Sequence, residues 1–272
     1  MSEEADAVRR HYETETDEDT RLRGGLGRIE LWRVQDMVRR YLGAGSRRVL
    51  DVGGASGVHS EWLLGDSHTV HLVDLVERHV AAARDRLEGV PGFSASVGDA
   101  RQLPVADASQ DAVLLLGPLY HVQDREDRVA IWREAARVLS PGGVVVAMAI
   151  SRFASLFDGL THGYLFDPEF RAVVDADLTD GRHENAHGRP GWFTTAYFHR
   201  PEELAVEAAD AGLDVLETLG VEGIAGWIDH LAPRLDDAAD REVVLEAARR
   251  VEAEPSLLGL SPHLLCVARR PD

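Results

Sequence analysis

The segment spanning residues 47–57, RRVLDVGGASG, constrains this chain more than any other. A short apolar run, Val49-Leu50-Asp51-Val52, passes directly into Gly53-Gly54, and Gly57 opens a helical pattern that carries His59, Trp62, Leu63 and Leu64. A strand that turns on glycines into a helix lets backbone approach a ligand where a Cβ would collide, and the helix start adds unpaired N–H groups facing it. The dinucleotide fingerprint wants glycine in its first, third and sixth places. With its last two glycines set on Gly54 and Gly57, the first falls on Val52. Asp51, at the strand end, would repel a pyrophosphate and attract a cation. Both departures weigh against an NAD-dependent oxidoreductase, the competing reading of this turn.

The rest of the chain alternates between two periods. Strands are predicted at 49–52, 69–74, 93–97, 112–116 and 144–150, with helices at 58–64, 76–87 and 125–139 between them. The last of these helices should turn Val129, Trp132, Ala136 and Leu139 inward. Ahead of this block, Ile29, Leu31, Trp32, Val34, Met37, Val38, Tyr41 and Leu42 recur at helical spacing up to Gly43. Beyond it, a helix at 201–211 with proline in its first turn, a strand at 213–221, a helix at 237–252 and a final strand at 264–268 complete the pattern. Strands separated by helices imply crossovers and a mostly parallel sheet covered on both faces, a doubly wound α/β fold of seven strands. Residues 151–195 break the rhythm with many His, Gly, Asp and aromatic residues and no clear strand. As an insertion after the fifth strand they fall at the carboxyl edge of the sheet, where ligands bind, and read as a lid.

Further motifs follow in order. Asp74 closes the second strand, and an acidic residue there can accept both ribose hydroxyls of an adenosine. Gly98-Asp99-Ala100-Arg101-Gln102-Leu103-Pro104 follows the third strand, Asp111 enters the fourth, and Arg137-Val138-Leu139-Ser140-Pro141-Gly142-Gly143 leads into the fifth. Together with D-x-G-G-x-x-G at the first turn, residues 47–150 resemble the class I S-adenosylmethionine (SAM) methyltransferases. Outside that core, the HYE…RL segment and the blocks THGYLFDPEF, FTTAYFHRPEEL and EPSLLGLSPHLL are similar to bacterial small-molecule methyltransferases of natural-product pathways. A subgroup that methylates indole C3 is one candidate home. Ala55-Ser56 and His59 depart from the commoner residues of the turn.

The resemblance implies a Rossmann-like sheet whose last strand is antiparallel, with SAM as cofactor and S-adenosylhomocysteine (SAH) as product. It divides the chain into an arm and helix capping the cofactor site (1–46), a SAM-binding core (47–150), a lid that binds the acceptor (151–200) and the C-terminal part of the same sheet (201–272). Asp51 and Gly53 would hold the amino-acid end of the cofactor, with Gly54 and Gly57 completing the turn. Asp74 would take the ribose, Leu75 the adenine face, and Asp99 with the Ala100 N–H the adenine edge. Arg101 and Leu116 complete the cofactor set. An enzyme that moves a methyl group from a sulfonium must chiefly align donor and acceptor and remove a proton where needed. His121, beyond the fourth strand, has the pKa for that task, and Tyr12 of the N-terminal arm is the second catalytic candidate. Tyr120, His162, His183, Asn185 and Tyr197 are the candidate acceptor contacts. A catalytically silent SAM-binding subunit is the non-enzymatic alternative.

His183-Glu184-Asn185-Ala186-His187 also fits the H-E-x-x-H zinc pattern, which works only on a helix. Gly181 before it and Gly188-Arg189-Pro190-Gly191 after it oppose one, so no metal is expected. The net charge of −18, without a long Lys/Arg cluster, argues against a nucleic-acid substrate. The longest apolar runs are of strand length and cannot span a bilayer, and the first ten residues lack the apolar core of a signal peptide. The lone Cys266 allows no internal disulfide and reads as a core strand residue. These features point to a cytoplasmic protein with a small-molecule acceptor, acting as monomer or homodimer.

Overall fold

The computed structural model describes residues 18–189 and 191–272. Its centre is a seven-stranded sheet in the order β3-β2-β1-β4-β5-β9-β8, built from Arg48–Val52 (β1), Thr69–Asp74 (β2), Phe93–Val97 (β3), Gln110–Leu115 (β4), Leu139–Ile150 (β5), Asp214–Gly220 (β8) and His263–Arg269 (β9). The pairs from β3 through β5 are parallel, and β9 runs antiparallel to both β5 and β8. The seven strands and the single reversed one are those that the sequence predicts.

Alternation along each strand divides the core between two faces. Val49, Ala112, Leu114, Val146, Met148 and Val267 share one layer with Val34, Met37 and Val38 of the helix Gly27–Leu42 (α2). Leu50, Val52, Val113, Leu115, Val145 and Cys266 share the other with Ile131, Trp132, Ala135 and Val138 of Arg125–Val138 (α5) and Leu204 and Ala208 of Pro201–Asp210 (α8). Ala136, predicted to face inward, is only half-buried, and Ile131 and Ala135 take its place. The helices Glu18–Arg23 (α1), Val58–Gly65 (α3) and Glu77–Arg86 (α4) precede α5, and Ala238–Val251 (α9) follows β8. Asp124 caps α5 by accepting from the Glu126 and Asp127 N–H groups, and Asp237 caps α9 in the same way.

The Pro141-Gly142-Gly143 turn lies within a strand rather than before one. β5 begins at Leu139, and its register with β4 jumps from Gln110↔Leu139 to Ala112↔Val144. The intervening residues form a bulge at Gly142, whose φ is 72°.

The lid departs furthest from its sequence reading. Residues 151–200 fold into the helices Ala154–His162 (α6) and Pro168–Asp180 (α7), followed by the short strands Arg182–His183 (β6) and Ala196–Tyr197 (β7), which pair antiparallel. Arg152 ties the two ends of the lid together, donating from Nε to the Phe198 carbonyl at 2.7 Å, and joins them to the body through Nη2 on Glu203 at 2.7 Å. The H-E-x-x-H segment is not helical: His183 is buried in β6, whereas His187 is exposed beyond it. Among the described residues no helix is long and apolar enough to cross a membrane.

Candidate active site

β1 connects to β2 on one side and lies beside β4 on the other, so the loops leaving their carboxyl ends diverge and open a crevice. That crevice is a cleft with about 1180 Å³ of space unfilled by atoms, part of it open to solvent. Asp51, Gly53, Gly54, Asp74, Leu75, Asp99, Ala100, Arg101 and Leu116 all line it. Gly57 does not. Its φ is 84°, and a Cβ there would touch Ala83 and Leu87, so this glycine serves the turn and the packing against α4.

The other two glycines have a different physical cause from the one that the sequence implies. A Cβ on Gly53 would sit 2.9 Å from the Pro118 ring, and one on Gly54 would sit 2.7 Å from Leu72 and 2.8 Å from the Asp51 carboxylate. The turn needs glycine because its own protein neighbours crowd it. Its tightness then leaves backbone, rather than side chain, facing the cleft.

Three carboxylates stand along the cleft floor. Asp51 is 1% exposed and accepts from Ser60 Oγ at 2.7 Å. Burial pushes its carboxyl up to about 6 against the lowering effect of Ser60, and nearby Asp74 adds to the rise. A cationic ligand group would restore its ionisation. Asp74 accepts the Ala55 N–H at 2.9 Å on Oδ2 and the Val76 N–H at 2.8 Å on Oδ1, with His79 Nδ1 3.2 Å from Oδ1. The two N–H contacts fix the plane of the carboxylate and leave a second lone pair on each oxygen for a ligand hydroxyl, with His79 Nδ1 beside the one on Oδ1. Asp99 is gripped by the Arg101 guanidinium at 2.7 Å, and Arg101 also reaches Asp127 at 2.7 Å.

A fourth wall is formed by residues that the sequence reading did not single out as ligand contacts. Arg21 of α1 pairs with Glu30 of α2 at 2.5 and 3.0 Å, and both line the cleft with His59. Burial would raise the Glu30 carboxyl, but Arg21 and then His263 bring it down to about 2. Burial would likewise depress His263, yet the Glu222 and Glu30 carboxylates push it up to about 9. Burial holds His59 down to about 4, and its Nδ1 accepts the Trp62 indole N–H at 3.2 Å. His59 is therefore neutral near pH 7 with its proton on Nε2. Glu30, Glu222 and His263 offer ligand atoms within 4.8 Å of one another, a spacing that a cation could use. Two cations of the protein, Arg21 and protonated His263, already balance the two carboxylates. Glu30 left one readable signal, a carboxylate at helical spacing with Val34, Met37 and Val38 on the apolar face of α2.

His121 ends a short 3₁₀ turn, Pro118–His121, that carries the chain off β4, and it lines the cleft beside Tyr120. The two rings lie 4.7 Å apart. The Tyr120 hydroxyl donates to the Leu116 carbonyl at 3.2 Å. The other acceptor candidates do not line the cleft, each for a local reason. His162 pairs with Asp158 at 3.0 Å on the exposed end of α6, and buried His183 pairs with Asp177 at 2.9 Å. The Asn185 amide staples its own loop by donating to the Arg189 and Trp192 carbonyls. The Tyr197 hydroxyl lies between Arg152 at 3.1 Å and Glu203 at 3.3 Å, with the Arg128 guanidinium 3.5 Å above the ring. Tyr12 lies outside the described residues.

Comparison with known proteins agrees with this geometry. Residues 49–143 match the family described as "Methyltransferase domain". The chain is 31% identical over 216 residues to a ubiquinone biosynthesis O-methyltransferase of Paracidovorax citrulli, covering 76% of this chain and 78% of that protein. Among solved structures, a SAM-dependent methyltransferase of Methanosarcina mazei superposes with a TM-score of 0.59 at 16% identity, over 86% of this chain and 97% of the other. The N-methyltransferase NodS of Bradyrhizobium japonicum, solved with SAH, gives 0.58 at 16% identity over 100% of both chains. With the glycine turn after β1, the acidic tip of β2 and the seven-stranded sheet, this places the chain among the class I SAM-dependent methyltransferases.

Proposed function

We propose that the enzyme methylates a small, partly apolar or aromatic metabolite, with His121 taking the acceptor's proton. The observation that carries this reading is where the cleft's histidines stand and what they touch. His59, His79 and His121 line it. The basic nitrogen of His59 is occupied by an indole N–H, and His79 sits against Asp74 at the ribose end. His121 stands at the carboxyl edge of β4, apart from the adenosine-binding loops.

When bound, SAM supplies a methyl group on a sulfonium and leaves as a neutral thioether. The chain's own part is to hold and to deprotonate. Asp51, Asp74 and the Asp99–Ala100 backbone are the proposed grips on its amino-acid end, ribose and adenine. As the bond from acceptor to methyl carbon forms, the X–H electron pair stays on the acceptor and the proton passes to the His121 imidazole. Leu116, Tyr120 and Met148 supply apolar surface beside it. Likeness to a ubiquinone biosynthesis O-methyltransferase supports a ring hydroxyl as the first acceptor to test. The resemblance to the indole C3 subgroup makes a ring carbon the second.

Calorimetry with SAH, followed by methylation assays on phenols, catechols and indoles, tests the reading. His121→Ala should lower kcat by roughly 10²–10⁴-fold while leaving SAH affinity within about threefold. Equal losses of turnover and SAH affinity would make His121 a cofactor-binding group instead.

A further inference from the structure

The lid places the ring of Phe193 among four other rings at the edge of the cleft. Its centroid lies 5.9 Å from His121 with the planes 25° apart, 6.4 Å from Tyr120, 6.3 Å from His183 and 6.4 Å from Phe198. His121 and Tyr120 line the cofactor cleft, whereas His183 and Phe198 belong to the lid. One phenyl group thus fills the space between the proposed proton acceptor and the lid. It is carried on a loop without regular secondary structure, joined to the body through two short paired strands.

His183 behind it is an unusual imidazole. It is 1% exposed, stacks on Phe198 at 4.7 Å, and directs Nδ1 to the buried Asp177 carboxylate at 2.9 Å. An ionised carboxylate only accepts, so Nδ1 carries a proton, and in the neutral imidazole Nε2 is then the acceptor. That Nε2 is buried with no hydrogen-bond partner among the described residues. Burying an unmet acceptor is costly, and such groups call for a functional explanation.

We infer that Phe193 holds the seat of a planar acceptor ring, and that the Asp177–His183 pair receives an N–H or O–H of that ring once Phe193 has swung aside. The ligand class is a flat aromatic or heteroaromatic molecule with a polar hydrogen on its far edge. It would lie between His121 on the cofactor side and His183 on the lid side. This inference rests on the proposed methyl transfer and adds the shape and polarity of the acceptor.

The test pairs SAH calorimetry with kinetics on phenol, catechol, indole and naphthol, with the aliphatic amine sarcosine as the non-planar comparison. Phe193→Ala should raise kcat/KM for naphthol relative to phenol by at least fivefold, and Phe193→Trp should lower it for every planar acceptor by at least tenfold. Both should bind SAH like the wild type. His183→Phe keeps the flat ring but removes the acceptor nitrogen, and should raise KM for planar acceptors about tenfold with little change in kcat. An unchanged naphthol-to-phenol ratio in Phe193→Ala, or sarcosine preferred over all planar acceptors, would overturn the inference while leaving methyl transfer intact. Loss of SAH binding by the wild type would instead strike at the proposed function beneath it.

Discussion

Replacing Asp74 separates two duties that the structure assigns to one carboxylate. Its oxygens accept the Ala55 and Val76 N–H groups, which fix the two loops, and they face the cleft where a ribose would lie. Hydrogen bonds to a charged acceptor contribute about 1.5–3 kcal/mol each, so losing two ribose hydroxyls costs binding about 3–6 kcal/mol. At about 1.4 kcal/mol per decade, Asp74→Ala should weaken SAH by roughly 10²–10⁴-fold. The two abandoned N–H groups should also lower folding stability by about 2 kcal/mol, a fall in Tm of about 4–8 °C for a chain of this size. Asp74→Asn keeps one acceptor oxygen and turns an NH₂ toward an N–H. It should lose roughly 10–100-fold in affinity, with a smaller fall in Tm. Isothermal calorimetry with SAH and a thermal unfolding scan read the two duties independently. If Asp74→Asn bound SAH within threefold of the wild type, the ribose assignment would be wrong, however far Tm moved.

Two further outcomes follow from the buried ion pairs. The folded-state pKa of His263, raised from 6.5 to about 9, makes its contribution full below about pH 6.5 and lost as pH rises through 9. Removal of that proton should cost on the order of 3 kcal/mol. Denaturant unfolding from pH 7 to 10 should therefore show wild-type stability falling toward that of His263→Gln, and parallel curves for the two proteins would contradict the Glu222–His263 geometry. Glu207 accepts from Arg128 at 2.7 Å and lies 3.3 Å from His199, with all three side chains buried. Glu207→Ala leaves a buried guanidinium without its carboxylate and should destabilise by about 3–5 kcal/mol in urea unfolding; a loss below about 1 kcal/mol would mean that the carbonyls of Val122 and Gln123 suffice for Arg128.

The central sheet was legible because its signals are local. Apart from the weaker Phe93–Val97, the strands β1 to β5 are short, largely apolar stretches bounded by turn residues, and Asp51, Asp74 and Asp99 each stand within two residues of a strand's end. A parallel sheet gathers those ends on one edge whatever the loops do, so spacing along the chain converts into proximity in space. The lid gave no such pattern. α6 packs through small residues: a Cβ on Gly159 would lie 2.5 Å from the Phe170 ring of α7. α7 buries only Phe170, Val174 and Asp177, an acid among its three inward positions. α7 lacks the apolar stripe that periodicity detects. The start of α7 was nonetheless written in Asp167-Pro168, a cap followed by proline, since Asp167 accepts the Glu169 N–H at 2.8 Å.

The acceptor side was illegible for a different reason, which bears on any reading of polar residues from sequence. His162, Asn185 and Tyr197 have the right chemistry for an acceptor site, but a local partner satisfies each of them: Asp158 one turn earlier, the carbonyls of a single loop, and the Arg152–Glu203 pair. A residue type states what a side chain can do and is silent on whether a neighbour already does it. Glu30 is the converse. It sits in a helix that any periodicity rule assigns to the core, and its partners Arg21 and His263 come from both ends of the chain. A carboxylate that interrupts an apolar helical face cannot remain ionised there without cations brought by other segments. That requirement, applied to Glu30 before any fold is known, predicts that remote cationic side chains converge on α2 beside the cleft, as Arg21 and His263 do.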